Sequence, residues 1–96
     1  MRKYEVMFIV RPDLEEAEIK TQAENMKEVL SSKGANVVDF KEMGQRDLAY
    51  EIKKYKKGYY FLITIEAENN EATTEFDRLA LISENIIRHL IVRVDN

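Results

Sequence analysis

Apolar and polar residues alternate from Tyr4 to Val10, with Tyr4, Val6, Phe8 and Val10 on one parity and Glu5, Met7 and Ile9 on the other. A period of two is the signature of a strand. Arg11-Pro12-Asp13 breaks it. Asp13 is placed to cap a helix, and Glu16 follows three residues on, as in a capping box. Ile19, Ala23, Met26 and Leu30 then recur at 4-3-4 spacing, which predicts a helix to about Lys33 with Gly34 as its stop. A second strand is expected over 36–43, carrying Val37, Val38 and Phe40. Alternation pauses at Gly44 and resumes at Leu48, Tyr50 and Ile52, which reads as one bent strand with a glycine bulge. Lys53 to Gly58 is a polar turn, and 59–66 is the most aromatic strand. A helix from about Glu71 to Ser83 directs Ala72, Phe76, Leu79 and Ala80 inward. Asn85 ends it, and 86–94 forms the last strand.

The order β-α-β-β-α-β predicts an α+β fold, a split β-α-β sandwich with a four-stranded antiparallel sheet and two helices on one face. Helices cover only one face of such a sheet. Strand 4–10 and strand 59–66 are apolar on both parities: Tyr59, Phe61, Ile63 and Ile65 share one, Tyr60 and Leu62 the other. An uncovered face this apolar implies a partner.

Ninety-six residues fit a single domain spanning 1–96. There is no cysteine, which removes disulfides, thiolate nucleophiles and thiolate metal sites and suits a reducing compartment. The apolar runs are strand-sized and the start of the chain has no signal-peptide pattern, so a cytoplasmic protein with no membrane partner is expected. The net charge of −3 argues against nucleic acid until its distribution is considered. Residues 13–30 carry six acids against two lysines, and 66–84 carry six acids against one arginine. Residues 41–58 carry six cations against three acids. A phosphate senses charge within a screening length of about 8–10 Å, so a local basic stripe outweighs the total.

Chemistry-bearing motifs are scarce. His89 is the one histidine and stands mid-strand, so a packed or surface role outweighs a general base or a zinc site. Acylphosphatases share this strand order and cradle phosphate in a glycine-containing loop after the first strand. Here that connection, Val10 to Glu16, has Arg11 but no glycine and holds three acids. It would repel phosphate, and an enzymatic reading is set aside. No dinucleotide or P-loop fingerprint can be built from Gly34, Gly44 and Gly58. No cofactor or small-molecule substrate is expected. Lys57 to Thr64 partly matches the RNA-recognition-motif octamer, failing at Tyr60 and Thr64. It leaves open a stand-alone single-stranded RNA binder that stacks bases on Tyr59 and Phe61. A self-pairing regulatory domain that buries its open sheet face is a third possibility.

Gly44-Gln45-Arg46-Asp47-Leu48-Ala49-Tyr50-Glu51-Ile52-Lys53 fits the pattern glycine, any, basic, polar, leucine, small, tyrosine, any, isoleucine, basic. In this it resembles the bacterial small-subunit ribosomal protein six family. Met1 to Glu5, Lys57 to Tyr60 and Ile87 to Val92 are similar to that family as well. The resemblance implies a ferredoxin-like fold and a structural component of the small ribosomal subunit. It implies a heterodimer with ribosomal protein eighteen that binds the central domain of 16S rRNA. The isolated chain is expected to be a monomer. Arg2, Lys3, Arg46, Lys54 and Arg88 are the foremost candidates for RNA phosphates, followed by Lys53, Lys56 and Lys57. Met7, Ile9, Tyr50, Tyr60 and Leu62 are the candidates for the partner face. The acidic C-terminal tail of some members has no counterpart in Val94-Asp95-Asn96.

Overall fold

A computed structural model describes residues 1–94, in the order β1 (Arg2–Val10), α1 (Glu16–Ser32), β2 (Asn36–Ile52), β3 (Tyr55–Ala67), α2 (Glu71–Ile82) and β4 (Ile86–Arg93). The strands form one antiparallel sheet in the order β2-β3-β1-β4. This is the expected split β-α-β arrangement. The terminal pair Asp95-Asn96 lies outside the described residues.

Burial settles the parity of the central strands. Tyr4, Val6, Phe8 and Val10 of β1 and Phe61, Ile63 and Ile65 of β3 are buried with Ile19, Ala23, Met26 and Leu30 of α1 and Ala72, Phe76 and Ala80 of α2. Both helices therefore cover one sheet face. Phe8 is the hub of that layer. Its ring stacks on Phe61 with centroids 5.2 Å apart and meets Phe76 at 5.7 Å. Offset and tilted aromatic pairs of this kind add to the gain from area burial.

The helix ends are set by local chemistry. Asp13 does not cap α1. Glu15 occupies the cap position with no side-chain bond. Asp13 lies two residues too early, and Arg11 takes both its oxygens, Nε to Oδ1 at 2.6 Å and Nη2 to Oδ2 at 2.8 Å. At the other end the Ala35 amide donates to Leu30 O at 3.2 Å, and the Gly34 amide to Ser31 O at 3.1 Å. That bond pair is a Schellman closure, which needs a left-handed residue at Gly34, and its φ is +87°.

The β2–β3 hairpin differs from expectation at its tip. The turn is only Lys53-Lys54, with φ of 50° and 73°, between the paired Ile52 and Tyr55. Two positive φ values give a primed two-residue turn, whose twist matches the strands it joins. Strand β3 therefore begins at Tyr55 and not at Tyr59. Strand β2 runs unbroken to Ile52 but its register shifts three times, at Val38, at Met43 before Gly44 (φ +83°), and where Leu48 to Glu51 have only Lys56 opposite them. The irregularity before Gly44 was legible as a glycine break. The other two carry no glycine.

Replacing Phe8 by alanine should cost about 3–5 kcal/mol, because Phe61 and Phe76 lose the ring they share. A urea titration of the variant checks this; a loss below about 1 kcal/mol would show that the core closes around the gap.

Candidate nucleic-acid and partner interface

The face turned away from the helices follows from the register. Met7 lies opposite Leu62 of β3 and Leu90 of β4, and Ile9 lies opposite Tyr60 and Arg88. One step along, Glu5 sits between Thr64 and Val92. The middle of this face is apolar, with Leu90 52% and Val92 42% exposed. The last bulge of β2, at Leu48 to Glu51, bends the strand over the same face. Leu48, Ala49, Tyr50 and Ile52 then wall a groove of about 140 Å³ whose other wall is Met7, Ile9, Tyr60, Arg88 and Leu90.

Two close approaches shape the groove. A Cβ on Gly58 would meet Ile9 Cγ2 at 2.3 Å, so a side chain there would have to displace Ile9. Ile9 is 2% exposed and forms the floor of the groove. On the rim, Arg88 Nη1 donates to the Tyr50 hydroxyl. Its guanidinium carbon lies 5.9 Å from the centre of the Tyr50 ring.

A family model described as Ribosomal protein S6 matches residues 3–93. The chain belongs to that family. It is thus a small-subunit ribosomal protein. Among solved structures it is similar to 30S ribosomal protein S6 from Thermotoga maritima, with 30% identity, a TM-score of 0.92, and coverage of 97% of this chain and 87% of that one. It also resembles the C-terminal domain of the MgtC protein from Mycobacterium tuberculosis at 10% identity and a TM-score of 0.59, covering 98% of this chain and 88% of that one. At that identity the second likeness concerns the fold alone. The ferredoxin-like fold expected from the sequence is thereby the fold of this family member.

The five partner-face candidates share one sheet face. Met7, Ile9, Tyr50 and Tyr60 line the groove, and Leu62 adjoins Met7 just outside it. Leu48, Ile52, Leu90 and Val92 belong to the same surface and were not among the candidates. For Leu90 and Val92 the signal was present in the sequence: they alternate with His89 and Ile91, whose partners Phe8 and Val6 are core residues. For Leu48 and Ile52 it was present too, since they alternate on one parity with the candidate Tyr50, while the bulge that carries them over the sheet has no glycine to mark it.

The eight cationic candidates do not converge. Arg46, Lys53, Lys54, Lys56 and Lys57 lie on the β2–β3 hairpin, exposed, and Arg88 stands at its base. Arg2 and Lys3 begin β1, at the opposite end of the sheet. Arg2 is seven residues from Ile9, about 23 Å along the strand at ~3.3 Å per residue. Several of the cations have local partners. Lys57 Nζ lies 4.0 Å from Asp47, Arg46 Nε donates to Met43 O at 3.4 Å, and Arg2 Nη1 donates to the Tyr4 hydroxyl at 3.4 Å.

The stacking-platform reading fails on parity. Phe61 is 1% exposed and faces the helices, and Tyr59 packs against the same core. Tyr60 is the aromatic of that stretch on the open face. His89 faces the helical side, with Nε2 2.7 Å from Asp77 Oδ1 and its ring 6.1 Å from Phe76. Among the described residues no group of three or more His, Asp or Glu is placed to hold a metal, and no helix is long and apolar enough to cross a membrane. The loop after β1 also lacks an anion cradle, since Arg11 is taken up by Asp13.

That Arg11–Asp13 pair braces the hairpin from its other side. The Arg11 guanidinium lies 5.7 Å from the Tyr55 ring centre, and the Tyr55 hydroxyl donates to Asp13 Oδ2 at 3.4 Å. Arg11 holds the Asp13 carboxyl below its ordinary range. A lowered carboxylate pKa contributes stability above the unfolded value, near ~3.9, that is lost as pH falls through the folded value. Asp13→Asn should therefore narrow the drop in urea midpoint between about pH 7 and about pH 3. An unchanged drop would show that the pair adds nothing in solution.

Proposed function

We propose that this protein is an assembly component of the small ribosomal subunit that binds the central domain of 16S rRNA jointly with ribosomal protein eighteen. The observation that carries the reading is the open sheet face, where an apolar groove is bordered by a hairpin bearing five exposed cations. The partner protein seats on Met7, Tyr50, Tyr60, Leu62 and Leu90. The hairpin cations and Arg88 meet phosphates beside it, and Arg2 and Lys3 contact RNA at the far end of the sheet. The opposite side is acidic: Glu16, Glu18, Glu24 and Glu28 of α1 and Glu71 and Asp77 of α2 are exposed. RNA is thus directed to the sheet by repulsion as well as attraction.

The role is one of shape and charge, with no catalytic step, cofactor or small-molecule substrate, and the protein works on the cytoplasmic ribosome as a single ferredoxin-like domain. Phosphate contacts position such a protein on folded RNA, and few of them suffice when a partner shares the load. Self-pairing of the groove is the competing use of the same surface.

Binding of the chain to a 16S central-domain fragment should be weak alone and strong with ribosomal protein eighteen. It should fall steeply as salt is raised, with a slope set by the number of phosphates neutralised. Sedimentation of the isolated chain should show a monomer at all concentrations. Tight binding by the lone chain to unstructured RNA, or a concentration-dependent dimer, would replace this reading.

A further inference from the structure

Arg88 is the one cationic candidate that also lines the apolar groove. Its guanidinium donates to the Tyr50 hydroxyl and lies against the Tyr50 ring. Hydrogen bond and ring contact together occupy the guanidinium at the groove rim. Tyr50 in turn stands on the segment Leu48 to Glu51, between the paired residues Asp47–Lys57 and Ile52–Tyr55. Lys56 alone stands opposite these four residues. Tyr50 is 62% exposed, while Ile9 beneath it is buried. A chain entering the groove from solvent meets Tyr50 first.

We infer that Tyr50 holds Arg88 in reserve until the groove is occupied. The docking partner takes the Tyr50 ring, the Tyr50–Arg88 contact breaks, and the guanidinium turns outward to a phosphate. Partner and RNA are then coupled through one side chain, and linkage makes the coupling reciprocal: each ligand raises affinity for the other by the same factor. The inference rests on the proposed seating of a protein partner in the groove and of RNA beside it. It adds the residue pair through which one reports on the other.

Tyr50→Phe tests it, since the ring and its packing stay and only the acceptor oxygen goes. Nitrogen NMR of the Arg88 guanidinium should show slow rotation in the wild-type chain and faster rotation in Tyr50→Phe, with no partner or RNA present. RNA affinity of the lone chain should rise about three- to tenfold in Tyr50→Phe, the net size of one solvent-exposed hydrogen bond. Affinity in the presence of ribosomal protein eighteen should stay within about twofold, so the enhancement by the partner shrinks. Arg88→Gln should abolish that part of the enhancement and raise the affinity of the RNA-free chain for the partner about three- to tenfold, because docking no longer has to break the contact. Free rotation of Arg88 in the wild-type chain overturns the reserve role outright. So does a wild-type chain that binds both ligands with an enhancement that neither substitution moves. A wild-type chain that binds neither ligand overturns the function proposed above, and the reserve role with it.

Discussion

Phe8 sits in the central strand β1, stacked on Phe61 of the neighbouring strand and tilted against Phe76 of α2. Because strand side chains alternate, committing Phe8 to the helices commits Val6 and Val10 with it and sends Met7 and Ile9 to the other side. A slip of one residue would exchange the two sets. The open face is thus the complement of the aromatic core, and its apolar character is not an independent choice. What lies on it was decided by which parity could fill the space beneath the helices.

The feature that turns this face into a groove is the last bulge of β2. A flat hairpin would leave Leu48, Tyr50 and Ile52 beside the sheet. Four residues against one force the strand to curl, and bulges of this kind re-aim side chains. The stretch that carries the family resemblance, Gly44 to Lys53, is this same segment, from the glycine at its left-handed start to the first residue of the turn. The family pattern is therefore a shape specification: a glycine to bend, three apolar residues to cover, and a cation at the tip.

The element order, the two helical stripes and the two-sided apolar sheet were legible in the sequence, because each rests on a periodicity that burial enforces over many residues. Less was legible where one competing contact decides. Asp13 had the spacing of a cap, yet Arg11 stood closer and bound it in a bidentate pair. The turn lysines lacked the glycine that usually marks positive φ, so the hairpin was read as ending four residues later than it does. Tyr59 and Phe61 looked like a platform because an octamer match says nothing of parity. Arg2 and Lys3 were grouped with the hairpin cations by charge, and only the register shows that the length of a strand separates them. The close approach of Ile9 to Gly58 is a through-space contact that no local pattern announces.

The hairpin tip has a cost of its own. Two lysines occupy left-handed backbone where asparagine and glycine are the usual residues, and each such residue is strained by about 1–3 kcal/mol. Two like charges side by side add repulsion. Stability and charge are therefore opposed at this one turn. Improving the fold here by the most obvious substitution would strip the hairpin of its outermost cations. The turn thus sets the outermost charge of the hairpin against the backbone geometry that carries it.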